Sequence, residues 1–187
     1  MSERVPEGPE RQDRDRVRSY IVGQAERYEP ADYWPRVMEL RVRLLRLLDE
    51  MTPGQAAWRP PTGEGEDAWS AIEIAQHLRQ WSDNIVDITR AFVDGHEGRK
   101  LPSGYIDPDP EASLVEVRRA LIEASQRLGD ALLNDAGRAD PERTVEHSWF
   151  GPLTARQWFV MARVHDTDHI RQIEGLQQMP GFPAADR

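Results

Sequence analysis

Between Asp32 and Met51 the apolar residues fall at Val37, Leu40, Leu44, Leu47 and Met51, three or four apart, with arginines on the other faces. That spacing puts one apolar stripe on a helix, and Pro53-Gly54 ends it. A second stripe runs through Ile74, Leu78, Trp81, Ile85, Ile88 and Phe92 and stops near Gly95. It opens at Ser70-x-x-Glu73, a capping box whose two side chains satisfy orphan backbone donors of the first turn. The third stripe is Leu114, Val117, Leu121, Ala124, Leu128 and Leu132. The acidic, proline-stiffened stretch Asp107–Glu111 lacks the spacing of a calcium loop and is expected at this helix's N-terminus, where acidic residues suit the dipole. The fourth helix opens at Thr154-x-x-Gln157 and ends before Pro180-Gly181.

No alternating strand pattern is visible, and no internal repeat or second domain boundary. Four helices of roughly 20 residues, each with one apolar face, predict an all-α protein, a four-helix bundle over residues 31–180. Residues 1–30 form an N-terminal extension. Its first 16 or so residues are polar and are expected as a mobile tail, and "VRSYIVGQAERYEP" predicts a short helix before Pro30. Residues 181–187 are a C-terminal tail. Periodicity leaves the order of the helices in the bundle open.

The fourth stripe differs from the others. At roughly 100° per residue it centres on Trp158, Ala162, His165, His169, Gln172 and Leu176, widened by Phe159, Ile170 and Ile173. Two histidines and a glutamine thus occupy positions where a plain bundle carries Leu or Ile. An imidazole buried without a partner costs on the order of 1–3 kcal/mol, and this helix would incur that twice. Residues i and i+4 are about 5–6 Å apart, so two imidazoles can converge on one ion at bond lengths of about 2.0–2.1 Å for zinc. A third ligand must come from another helix. His77 borders the core of the second helix, about 60° from the centre of its stripe. The spacing is equally compatible with core histidines bonded to neighbouring polar groups.

Composition narrows the chemistry. The chain has 187 residues, enough for one domain with a substantial core, and no cysteine, which excludes disulfides, a thiolate nucleophile and thiolate ligands. The net charge of -9 argues against nucleic acid as a partner. With no apolar signal region and no run of membrane-spanning length, no membrane association is expected and a cytoplasmic location is.

"WSAIEIAQHL" (Trp69–Leu78) on the second helix and "LTARQWFVMARVHDTDHIRQI" (Leu153–Ile173) on the fourth resemble the DinB/YfiT-like family of metal-dependent proteins, and "MTPGQAAWRP" is similar to that family's first loop. The resemblance covers about residues 32 to 178. It implies up-down-down-up topology, a divalent metal (zinc or nickel) held by His77, His165 and His169, and a homodimer. It also implies transferase or isomerase chemistry on small molecules with a low-molecular-weight thiol such as bacillithiol or mycothiol; related domains occur in ergothioneine-pathway enzymes.

Three neutral histidines leave a coordination position open for water or substrate. Because the protein has no cysteine, a reacting thiol would arrive as a cosubstrate. Two further site candidates are Glu73, whose other role is the capping partner of Ser70, and Gln172, one turn after His169. Asp166 and Asp168 are expected to orient an imidazole or face water, Asn84 to edge the pocket, and Trp149 and Phe150 to wall its mouth. His96 reads as exposed and His147 as a loop residue near the site, while Trp81 and Trp158 read as core. The expected function is a metal-dependent enzyme of the thiol-transferase type. The alternative is a non-catalytic metal-binding or stress-linked dimeric bundle, with a closed site completed by a carboxylate such as Glu73 or Asp168. A bundle without metal would instead let the three histidines diverge.

Overall fold

A computed structural model describes residues 9–95, 108–109 and 111–184. Its helices are α1 (Pro9–Arg27), α2 (Pro30–Asp49), the short α3 (Pro53–Ala57), α4 (Ala71–Asp94), α5 (Leu114–Asp130) and α6 (Ala155–Leu176). The four predicted helices are α2, α4, α5 and α6. Pro30 sits in the first turn of α2, where its missing N–H costs nothing, so the helix starts slightly before Asp32. In α4 the predicted capping box is formed, and Gly95 ends the helix at φ 69°, a left-handed conformation that favours glycine.

Two expectations about helix ends are corrected. α5 is capped by Ser113 and Glu116, not by the acidic stretch before it. Within that stretch the Asp109 backbone instead exchanges two 2.9 Å hydrogen bonds with the Gln76 side-chain amide on α4. The N-terminal helix is longer than expected, beginning at Pro9 within the stretch expected as a mobile tail. Charge favours its early turns, where Asp13 and Arg16 pair at 3.1 Å, and its later turns bury Ile21 and Ala25. His96 lies outside the described residues.

Cross-helix pairs set the topology. Arg41 meets Asp166 and Arg43 meets Glu174, so α2 and α6 run parallel. Gln76 meets Asp109 and Asp83 meets Arg127, so α4 and α5 run parallel too. Asp49 with Arg118, and Trp34 against Gly129, make α2 and α5 antiparallel. The bundle is therefore up-down-down-up. A Cβ at Gly129 would stand 2.5 Å from the Trp34 ring, so only glycine permits that approach.

The expected absence of strands is also corrected. Thr144–His147 and Gly151–Thr154 form an antiparallel hairpin, β1 and β2, pairing Val145 with Leu153 and His147 with Gly151. Val145 and His147 are buried while Thr144 and Glu146 are exposed. The alternation is genuine, but four residues are too few for periodicity to reveal it in a polar loop.

Two apolar clusters fill the interior. One gathers Tyr33, Val37, Trp81, Ile85, Phe92, Trp158 and Phe159 with Ile21 of α1. The other gathers Leu44, Leu48, Ile74, Leu78, Leu121 and Ile173. α6 passes from the first at Ala162 to the second at Ile170, and that interval carries His165, Asp166 and His169.

Candidate metal centre

α6 presents His165 and His169 one turn apart, and α4 brings His77 against them from its second turn. The rings are close: centroids are 4.8 Å apart for His77 and His165, 4.8 Å for His77 and His169, and 4.5 Å for His165 and His169. One potential ligand nitrogen from each lies within 4.8 Å of the others, so the group could hold a metal ion. The histidines converge instead of diverging.

The environment keeps His165 uncharged and orients both His165 and His169. The Nε2 atoms of His77 and His165 are 2.9 Å apart, close enough to share one proton or one cation. Burial, then the neighbouring His169, His77 and Arg41, hold His165 well below its ordinary 6.5, which leaves its lone pairs free near neutral pH. Its ring stacks on Trp81 at 4.5 Å, and its Nδ1 has no hydrogen-bond partner among the described residues. His169 Nδ1 lies 2.8 Å from Gln172 Oε1, and Gln172 Nε2 donates to the Glu66 carbonyl at 2.6 Å. An amide oxygen can only accept, so His169 carries its proton on Nδ1 and turns a bare Nε2 toward its partners.

The three rings line an open cavity of about 1050 Å³. Its walls come from α4 and α6, from the hairpin and its loop (Glu146 to Phe150), and from α1 through Val17 and Tyr20. α1 is pinned there by Arg18, which donates to the Phe150 carbonyl at 2.8 Å, and by Tyr20, whose hydroxyl accepts from Arg163 at 2.8 Å.

Residues 37–173 match the family model of the DinB superfamily. The chain belongs to the DinB superfamily. A crystal structure of TT2238, described as a four-helix bundle protein, is similar at a TM-score of 0.53 and 22% identity, covering 78% of this chain and 98% of that one; at that identity it shows the fold alone. No curated protein matches the chain. α1 lies wholly before the matched segment and walls the cavity beside the histidines.

The remaining candidates separate. Gln172 belongs to the centre through His169. Glu73 does not face the cavity: its carboxylate accepts from the Ser70 backbone and hydroxyl at 2.9 Å each and from the Arg59 guanidinium, so the capping role prevails. Asn84 is likewise absent from the cavity walls. Asp166 neither orients an imidazole nor meets water; it is fully buried and takes Arg41 Nε and Nη2 at 2.6 and 2.8 Å. Burial pushes its carboxyl upward and the Arg41 guanidinium opposes the shift. Asp168 is exposed on the cavity wall.

His147, Trp149 and Phe150 all line the cavity. Trp81 and Trp158 are buried in the core, yet both also reach the cavity. Sequence reasoning missed the contribution of α1. The one available signal was the apolar pair Tyr20-Ile21 within an otherwise polar segment.

Among the described residues no helix is long and apolar enough to cross a membrane.

Proposed function

We propose that His77, His165 and His169 bind a divalent ion, zinc or nickel, and that this DinB superfamily protein is a metal-dependent enzyme acting on a small molecule. The observation that carries the reading is the convergence of three histidines from two helices on the wall of an open cavity. The donor set fits such an ion: His165 is held neutral, and His169 is oriented by Gln172 so that one nitrogen stays bare. When bound, an ion with an open position lowers the pKa of a coordinated water or thiol toward neutrality. Gln172 fixes the His169 tautomer, and Trp81 fixes the plane of His165.

Catalysis is favoured over a closed structural site because neither proposed carboxylate closes the cluster. Glu73 is occupied by Ser70 and Arg59, and Asp168 lies on the exposed wall. The chain has no cysteine, so a thiol-dependent reaction would take its sulfur from a low-molecular-weight cosubstrate. The family membership and the sequence resemblance support a thiol transferase and a homodimeric assembly.

Metal content measured by mass spectrometry on untagged protein tests the reading, alongside His165→Ala and His77→Ala. Near-stoichiometric zinc or nickel, lost in both variants while the helical fold persists, is the expected result. A metal-free protein unaltered by either substitution would sink it.

A further inference from the structure

His147 is the one described cavity histidine outside the trio. It ends β1, and its Nδ1 accepts the backbone N–H of Trp149 at 3.0 Å and of Phe150 at 3.3 Å. A backbone N–H can only donate, so Nδ1 must offer its lone pair and the ring proton must sit on Nε2. The hairpin loop thereby sets the tautomer. That Nε2 has no hydrogen-bond partner among the described residues, and it is not sealed away from solvent. A single N–H donor of fixed orientation is therefore left on the wall of the cavity.

The surroundings indicate what this donor would meet. His147 packs between Phe150 at 4.9 Å and Trp158 at 5.1 Å, and Trp81 bridges from it at 5.9 Å to His165 at 4.5 Å. Trp149, at the hairpin tip, is 64% exposed although it lines the same cavity, so a large aromatic side chain there keeps most of its area unburied. Aromatic walls favour a flat apolar body by stacking and edge contacts. The charged residues of the lining carry both signs, Arg163 and Arg171 against Glu146 and Asp168, so they select no net charge.

We infer that the cavity takes a flat apolar molecule bearing a carbonyl or carboxylate oxygen, and that His147 donates its Nε2–H to that oxygen. The inference rests on this cavity being the functional site proposed above, but it does not require the organic molecule to touch a metal. His147 is then a substrate-binding residue that sets which face of the molecule turns toward the histidine trio.

The test uses the full-length protein, zinc-loaded and metal-stripped, titrated with benzoate, benzamide and benzylamine. Fluorescence of the cavity tryptophans and calorimetry provide the readouts. Benzoate and benzamide should bind saturably, and benzylamine, with the same ring and no acceptor, should not. Binding of both acceptors identifies the carbonyl as sufficient, and binding of benzoate alone identifies a carboxylate.

His147→Asn keeps an oxygen for the Trp149 N–H but draws its remaining amide N–H back from the Nε2 position, and should weaken binding roughly tenfold or more. His147→Gln restores an N–H near the lost position and should keep affinity within about threefold of wild type. Equal affinity in wild type and His147→Asn would overturn the inference, as would a wild type that binds neither acceptor or binds benzylamine equally well. Should His147→Asn not fold, the wild-type Nε2–H proton resonance decides: it must move on adding benzoate, and a fixed resonance overturns the proposal. Zinc content of the zinc-loaded sample keeps the two readings apart: acceptor binding by a protein that takes up no zinc on loading fails only the metal assignment, and zinc uptake without acceptor binding fails only this one.

Discussion

His165 and Asp166 are consecutive residues of α6, both drawn into the bundle, and they are satisfied in opposite ways. Asp166 points toward α2, where Arg41 supplies two hydrogen bonds to its two oxygens and closes the pair off from water. His165 points toward α4, shares one nitrogen with His77, leaves the other without a hydrogen-bond partner among the described residues, and borders a cavity. Both carboxylate oxygens of Asp166 are bonded, although Arg41 Nη1 has no hydrogen-bond partner among the described residues; the pair fixes the register of α2 against α6 and so the rotation at which α6 presents its histidines. The histidine cluster borders open space, where its nitrogens could meet a ligand. The polarity of a buried residue therefore says less than whether its bonding capacity has been used.

The largest expected effect falls on the saturated side. Arg41→Ala strands a carboxylate that burial already disfavours, and should cost about 3–5 kcal/mol in urea denaturation. Replacing both partners, Arg41→Met with Asp166→Leu, should recover most of that loss, since both desolvation penalties disappear together. A single variant losing under about 1 kcal/mol would mean the pair does not hold the two helices in register.

Next comes the acid limb of stability. His147 is held neutral in the fold, lowered by burial from its ordinary 6.5 to about 4. The unfolded chain takes up this proton before the native state does, so the contribution is intact above pH 6.5 and is lost as pH falls toward 4. At roughly 1.4 kcal/mol per pH unit the loss is about 3 kcal/mol, and His147→Asn should flatten the curve by that amount between those limits. Parallel curves for the two proteins on metal-stripped samples would show that the imidazole is not what titrates.

Gln172 sharpens the unsaturated side. Gln172→Ala removes the acceptor that sets the His169 tautomer, and should weaken zinc affinity roughly 10–100-fold in a chelator competition while leaving the melting temperature of the metal-free protein nearly unchanged. Gln172→Glu, which keeps an acceptor, should retain tight binding. The smallest effect belongs to the cap: Ser70→Ala should cost about 1 kcal/mol with zinc stoichiometry intact. Loss of zinc in that variant would return Glu73 to the centre.

The helices and their capping boxes at Ser70 and Thr154 were legible because apolar spacing and cap chemistry are local. The convergence of the three histidines was legible because two of them sit where Leu belongs, and His77 borders the facing stripe. The hairpin was not, since two four-residue strands give periodicity too little length, and only the second half of α1 was, since its early sequence is charged and carries no apolar stripe. Asp166 was misplaced because a buried carboxylate's role is set by the guanidinium it meets, and Arg41 lies 125 residues away along the chain; Glu73 keeps the capping role that its spacing from Ser70 favoured.

By itself the sequence determined four amphipathic helices, a cysteine-free site and a histidine stripe, because each follows from residue type and helical period. Only the tertiary structure decided which polar groups are saturated, that the hairpin fixes the His147 tautomer, and that α1 walls the cavity. Those facts depend on contacts between distant segments, and no local pattern encodes which distant partner arrives.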